Sequence, residues 1–395
     1  MLDRTKVIKE LNALADQLFV DSFHEHELAR VVWNYIAADP TFCYKINECN
    51  LTFPVAYWQA TLKSTQEIRK EIKKYTAISV DGSQIYPDRH QGTGCFLINI
   101  GSVTLSYAIQ SKPVVFNSRP YVFLGYEYDE LEKISADIVN VIRQEFELKA
   151  AAERDYSVLK KLGPTAVFFD GPLMFWFLEN KEPGVRNMFL ARYVDSLWQL
   201  FEKKVLCAGY ISMPRSRDLV TILRVALQFI TSEVATTYTD SAIERQLFAA
   251  VAAASQEYKE KITKRLSDVA ICRWFLQPFE RTILFKNNAP MCVSYPQQIQ
   301  PYFFYLHVGS EIVRIEIPAW IAHQDTLVDT ICQIAIDQAI KGRGYPVVLA
   351  EAHEQAVVKA PDREFFYHAL TKLGIVYKKR FALSQKSIKK RSIGI

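Results

Sequence analysis

Two aspartates give the first chemical signal in this sequence. Asp81 closes the apolar run at residues 76–81 (TAISVD), Asp170 closes the run at 165–170 (TAVFFD), and a glycine follows each. A strand holds a carboxylate rigidly, and a turn directly after it leaves room for an ion and a substrate. Magnesium and manganese take such oxygen ligands together with phosphate. Phosphodiester hydrolysis uses these ions to activate water and to neutralise charge on the attacking and leaving oxygens. Asp-Gly is also an ordinary turn pair, so either one alone carries little. The same strand context twice raises the expectation of a metal site. A third carboxylate would come from the intervening helix, which offers Glu145, Glu147 and Glu153. Glu147 lies past the most apolar part of that helix; a solvated helix glutamate is its alternative, and spacing alone does not choose between them.

Other candidates are individually weaker. His353 follows the apolar run 346–350, expected to be a short strand, and could ligate metal or position phosphate, although a lone histidine is more often structural. Tyr345 reads as a packing residue, and Asp88, Arg89 and His90 as a polar loop that could touch substrate. Arg215 and Arg217 fall in a Pro-Arg-Ser-Arg turn, where a guanidinium pairs with phosphate or with a carboxylate. Residues 378–395 hold seven lysines or arginines and no acid, which makes Lys389, Lys390 and Arg391 candidates for nucleic-acid backbone contact. A solubilising tail explains that composition equally well. Gly92-Thr-Gly94 matches neither a P-loop nor a dinucleotide fingerprint.

The elements that must position these residues follow from patterning. Residues 1–75 read as mainly helical, with Val7, Leu11, Leu14, Leu18 and Phe19 at helical spacing and a charged helix end over 67–74. A strand to Asp81 is followed by 95–100 and 103–110, expected to form a hairpin about Gly101-Ser102, and 113–125 is expected to be irregular. A helix over 128–162 carries Leu131, Ile134, Ile138, Val141 and Ile142 on its buried face. Strands at 165–170 and 205–212 and a helix at 218–229 come next, then a helical insertion at about 230–275. A second strand pair turns at Gly309-Ser310, and helices at 327–339 and 361–373 close the chain. Strand, hairpin, long helix, strand, strand is the order of a ribonuclease-H-like α/β mixed-sheet core. The expected organisation is an N-terminal helical region (1–75), a nuclease domain (76–377) and a basic tail (378–395).

Composition narrows the class. Nearly half the residues are apolar, so the chain is globular. Seven scattered cysteines without a CxxC pair exclude the common zinc spacings and point to a reducing compartment. No run reaches the ~18–20 apolar residues that span a bilayer, and no signal-peptide stretch opens the chain, so a cytoplasmic protein without membrane contact is expected. The net charge of +5 permits a nucleic-acid partner without arguing for one.

Several of these stretches together resemble the NurA nuclease family. They are Val80-Asp-Gly-Ser-Gln-Ile-Tyr-Pro-Asp-Arg-His90, Phe169-Asp-Gly-Pro-Leu173, Gly209-Tyr-Ile-Ser-Met-Pro-Arg-Ser-Arg-Asp-Leu219, Glu280-Arg-Thr-Ile-Leu-Phe285, Arg314-Ile-Glu-Ile-Pro318 and Gly344-Tyr-Pro-Val-Val-Leu-Ala-Glu-Ala-His353. The resemblance covers about residues 75–375. It implies a ribonuclease-H-like fold, a toroidal homodimer, and Mn²⁺-dependent DNA cleavage (or Mg²⁺, with two ions) as a single-strand endonuclease and 5′-3′ exonuclease. It also implies a HerA-type hexameric ATPase as partner in DNA end resection and double-strand break repair. Asp81 and Asp170 match the family's two aspartates, and Tyr345 and His353 its C-terminal tyrosine and histidine; Glu147 matches the helix glutamate loosely. By the resemblance, Asp81, Glu147, Asp170 and His353 are the expected metal ligands, with Tyr345 orienting phosphate or water. One departure is Pro172, where the family usually carries serine or threonine; it removes a backbone donor but leaves the carboxylate in place. The rival readings are a catalytically silent DNA-clamping subunit of an ATPase complex and a ribonuclease-H-like nuclease acting on RNA or in phage defence.

Overall fold

A computed structural model of the chain describes residues 2–15, 22–49, 51, 53–69, 71–88, 94–107, 114–124, 134–231 and 241–377. Arg89, His90, most of the Gly92 loop and the tail with Lys389, Lys390 and Arg391 lie outside the described residues. Two compact units are present. Among the described residues no helix is long and apolar enough to cross a membrane.

The first unit joins Met1–Thr65 to Pro214–Gln277. Its core is helical: Leu28, Val31, Val32, Trp33 and Ile36 of Phe23–Ala38, the apolar face of Asp218–Phe229, and Phe248 and Ile262. The first helix, Arg4–Ala13, forms as its spacing suggests, and Val7, Leu11 and Leu14 are exposed; Leu18 and Phe19 are outside the described residues. Arg215 and Arg217 belong to this unit. Arg215 is exposed, whereas Arg217 donates from Nη2 to the Thr263 carbonyl at 2.5 Å rather than to a carboxylate.

The second unit, Gln66–Met213 with Pro278–Ile395, carries the sheet. Its main strands are β1 (Thr76–Ile85), β2 (Phe96–Ser106), β3 (Val114–Phe123), β4 (Thr165–Asp170), β5 (Leu206–Ile211), β6 (Pro301–His307) and β7 (Ile312–Pro318). They lie in the order β6-β7-β5-β4-β1-β2-β3. β2 is antiparallel to β1 and β3, while β4 is parallel to both β1 and β5. The order β3-β2-β1-β4-β5 with only β2 reversed is the ribonuclease-H-like arrangement expected from sequence. β6 and β7 extend it as an antiparallel pair turning at Gly309, whose φ of +101° suits glycine.

The longer helices of this unit are α1 (Ala136–Ala152), α2 (Pro183–Glu202), α3 (Asp325–Lys341), α4 (Val347–Ala356) and α5 (Ala360–Val376). In α1, Ile138, Val141, Ile142, Leu148 and Ala152 recur at helical spacing and are buried, and the Ser135 hydroxyl caps the first turn by accepting from Ile138 N–H. Expected element boundaries around it shift: α1 ends at Ala152, and residues 157–162 form a separate short helix.

Five other expectations are corrected. Gly101 does not turn a hairpin. β2 runs straight through it, and the partner strand is β3, where an irregular segment was expected. β3 ends the strand order, and an edge strand tolerates Pro120 because a missing N–H there costs little. Likewise β1 does not turn at Gly82 but continues to Ile85, so Asp81 sits inside a strand. Residues 346–350 are not a strand: Pro346 precedes α4, whose Ala-Glu-Ala-His-Glu-Gln-Ala run favours helix and outweighs the two valines. Finally, no helix forms over 67–74 among the described residues; Thr65–Glu67 is a short strand.

Gly101 is glycine because α4 lies directly on it. A Cβ there would stand 2.6 Å from the Gln355 carbonyl carbon and 2.7 Å from the Ala352 oxygen, with the Ala356 nitrogen closer still. Backbone atoms cannot step aside as a side-chain tip can. Gly101→Ala is therefore expected to lower unfolding free energy by about 1–3 kcal/mol in a denaturant titration. Gly184→Ala in α2, where a Cβ meets nothing within 4 Å, should be neutral or slightly stabilising. Equal effects at the two positions would contradict close packing of α4 on β2.

Candidate active site

Strand register brings the two aspartates together. β1 and β4 pair in parallel from Thr76↔Thr165 to Ser79↔Phe168, so two residues further along each strand Asp81 and Asp170 stand level. Side chains alternate along a strand, which puts both on one face of neighbouring strands ~4.8 Å apart. Asp81 is opposite Gly101 in the ladder with β2. The gap left by Gly101 admits α4, and the His353 Nδ1 of that helix lies 2.9 Å from Asp81 Oδ2.

The next residue, Gly82, faces α1. A Cβ on it would lie 2.7 Å from Glu147 Oε1 and 2.8 Å from Arg143 Cγ. The first Asp-Gly thus serves close approach of a helix, not a turn. Arg143 Nη1 donates to Glu147 Oε1 at 2.5 Å and to the Gly82 carbonyl at 3.0 Å, and lies 3.8 Å from Asp81 Oδ1. Of the three helix glutamates, Glu147 is the one that faces the aspartates. Glu145 is buried against Arg192 at 3.3 Å, and Glu153 pairs with Lys149 at the surface.

The second Asp-Gly does turn. Gly171 has φ +137°, and its N–H donates to the Tyr210 carbonyl at 3.0 Å. Gly209 lets this loop fold back onto β5, because a Cβ there would collide with the Gly171 oxygen and approach Leu173 N at 3.1 Å. Past Pro172, the Leu173 and Met174 N–H groups donate to Glu316 Oε2 at 2.9 and 3.2 Å. Glu316 is itself buried and paired with Arg314 at 3.0 Å. Losing one partner of such a pair typically costs ~3–5 kcal/mol, so the loop behind Asp170 is firmly anchored.

Tyr345 comes from the Gly342–Gly344 loop before α4 and packs edge-on against Tyr210. Its hydroxyl donates to Asp170, and burial together with that carboxylate holds its own pKa well above the usual tyrosine range. It is a permanent donor. α4 is fixed at both ends: Gln338 Oε1 accepts from Val348 N–H at 3.1 Å, and the last-turn Ala356 carbonyl accepts from Ser83 Oγ at 2.5 Å and Asn99 Nδ2 at 2.8 Å.

Electrostatics mark the site. Burial pushes the Glu147 carboxyl up to about 8, with Asp81 and Asp170 adding to the rise and Arg143 opposing it. Burial raises the Asp170 carboxyl too, opposed by the Tyr345 hydroxyl and reinforced by Asp81. Three hard-oxygen ligands that repel one another, with an imidazole beside them, match the donor chemistry of a divalent cation. As placed, no three His, Cys, Asp or Glu side chains among the described residues surround one point. The cation amid these carboxylates is Arg143.

Sequence reading missed Arg143, Glu316, Gly101 and Gly209 as contributors. Arg143 had a visible signal, since it lies one helical turn before Glu147 at i,i+4 spacing. Gly209 and Glu316 lie in family-like stretches, but their roles, like that of Gly101, depend on contacts across the sheet.

A family model described as the NurA domain matches residues 75–358. In fold, the chain is similar to the crystal structure of the NurA nuclease from Sulfolobus solfataricus, with a TM-score of 0.51 at 15% identity over 95% of this chain and 98% of that one. No curated protein matches its sequence.

The raised Glu147 pKa has a stability consequence. Between its ordinary value of 4.5 and about 8, the folded protein binds more protons than the unfolded one, so stability falls as pH rises through that window. Metal-free protein is expected to lose melting temperature from pH 5 to pH 8, and Glu147→Gln to flatten that decline. A Glu147→Gln profile as steep as wild type would place the destabilising charge elsewhere.

Proposed function

We propose that this chain, which belongs to the NurA family, is a divalent-metal-dependent deoxyribonuclease acting as single-strand endonuclease and 5′-3′ exonuclease. The observation that carries the reading is the convergence of Asp81, Glu147 and Asp170 from two adjacent parallel strands and one helix, close enough for the aspartates to raise the Glu147 pKa. Asp81, Glu147, Asp170 and His353 would hold Mn²⁺ or Mg²⁺, two ions in all. When bound, such ions supply an activated water and neutralise charge on the phosphate.

The residues themselves do the rest. Tyr345, always protonated, fixes the Asp170 carboxylate by donating to it, which supports a positioning role more than direct contact with phosphate. His353 is held by Asp81 through Nδ1, which fixes the ring and leaves Nε2 of the exposed imidazole for the ion. The strands behind Asp81 and Asp170 hold the carboxylates in place, so little ordering remains when substrate arrives.

DNA is the proposed substrate. A second copy of the chain and a HerA-type hexameric ATPase are the proposed partners, in end resection and break repair; what supports them is the family resemblance of the six motifs. Arg215 and the basic tail remain candidates for guiding the strand.

Asp81→Ala and Asp170→Ala are each expected to fold and to lose at least ~10³-fold in Mn²⁺-dependent cleavage of labelled single-stranded DNA. Circular dichroism checks the fold, and gel-resolved cleavage reads the activity. Retained cleavage in either folded variant removes that residue from the site. An inactive wild type that still binds DNA favours the silent clamping subunit. Offering RNA beside DNA separates the ribonuclease alternative.

A further inference from the structure

We infer that Arg143 is a resident cation of the site: it holds Asp81 and Glu147 while no divalent ion is bound, and it releases Glu147 when one binds. The inference rests on the metal reading above and adds a positioning residue to it.

Three observations carry it. First, one guanidinium nitrogen serves three oxygens. Arg143 Nη1 is 2.5 Å from Glu147 Oε1, 3.0 Å from the Gly82 carbonyl and 3.8 Å from Asp81 Oδ1. Second, the same side chain leaves Nε buried with no hydrogen-bond partner among the described residues. A permanent arginine clamp spreads its five donors over its acceptors, often bidentately; this one is engaged through one corner while a neighbouring donor goes unmatched. That is a contact tolerated for its charge, not optimised for its geometry. Third, no three potential ligands among the described residues surround a common point. The carboxylates are arranged around the guanidinium.

Two cations cannot share this space without strong mutual repulsion. Arginine cannot make way by losing its proton, since its pKa exceeds ~12. It can only move, and it has a long flexible stem to do so. Released from Glu147, its fork of N–H donors is suited to a phosphate oxygen beside the ion. Gly82 supplies the space for either arrangement, because any side chain there would meet both Arg143 and Glu147.

The test is calorimetric titration of DNA-free wild type, Arg143→Gln and Asp170→Asn with MnCl₂, together with melting curves with and without Mn²⁺. Arg143→Gln is expected to bind Mn²⁺ about tenfold more tightly than wild type. It should melt lower than wild type without metal, and the gap should close at saturating Mn²⁺. Asp170→Asn should bind more weakly. Equal or weaker binding by Arg143→Gln, with wild type binding normally, overturns the inference alone and leaves Arg143 a fixed support for Glu147. No binding by wild type and Arg143→Gln alike overturns the metal reading and the inference with it. Should Arg143→Gln fail to fold, a crystal structure of the wild type soaked in Mn²⁺ answers the same question. Separation of Nη1 from Glu147 Oε1 supports the inference, and a retained 2.5 Å contact beside a bound ion overturns it.

Discussion

Three carboxylates brought together at the rim of a sheet repel one another, and the rest of this unit is arranged around that repulsion. Like charges ~4 Å apart oppose each other by ~4 kcal/mol at an effective dielectric of 20. The register of two parallel strands sets the backbones of Asp81 and Asp170 side by side, so the two residues cannot move apart without breaking the ladder beneath them. Glu147 is added from a helix; burial chiefly raises its proton affinity, and the two aspartates add to the rise. The arrangement makes physical sense only with a positive charge among the three. Without a divalent ion, Arg143 is that charge.

Holding such a cluster requires close backbone approach from both faces of the sheet. Gly82 lets α1 bring Arg143 and Glu147 to one side of β1; Gly101, one strand over, lets α4 bring His353 to the other. Gly209 lets the loop after Asp170 fold down onto β5, where the buried Arg314–Glu316 pair secures it through two backbone N–H groups. Ser83 connects the two faces: it follows Gly82 in the strand and caps the end of α4. The polar supports behind the site are therefore as specific as the site itself.

Much of this was legible in the sequence, though not always for the right reason. Apolar runs ending in Asp-Gly gave the two aspartates, and the strand and helix order gave the ribonuclease-H-like core. The turn reading held at Gly171, where φ is +137°, and failed at Gly82, where glycine serves helix packing inside a strand. Gly101 read as a hairpin tip for the same local reason. The start of α4 read as a strand because four apolar residues open it, but the helix-favouring run that follows decides the element. Which helix glutamate faces the aspartates, and that Tyr345 donates to Asp170, are facts of tertiary geometry that no local pattern encodes.

The central claim is that these residues form a metal-dependent nuclease site for DNA. Its most direct test is to incubate the purified wild-type chain with end-labelled single-stranded DNA in Mn²⁺, in Mg²⁺ and in excess chelator, and to resolve the products. The account predicts cleavage that appears with the divalent ion, disappears with chelator and returns when the ion is restored. Cleavage undiminished by chelator, or none under any of these conditions, would contradict it.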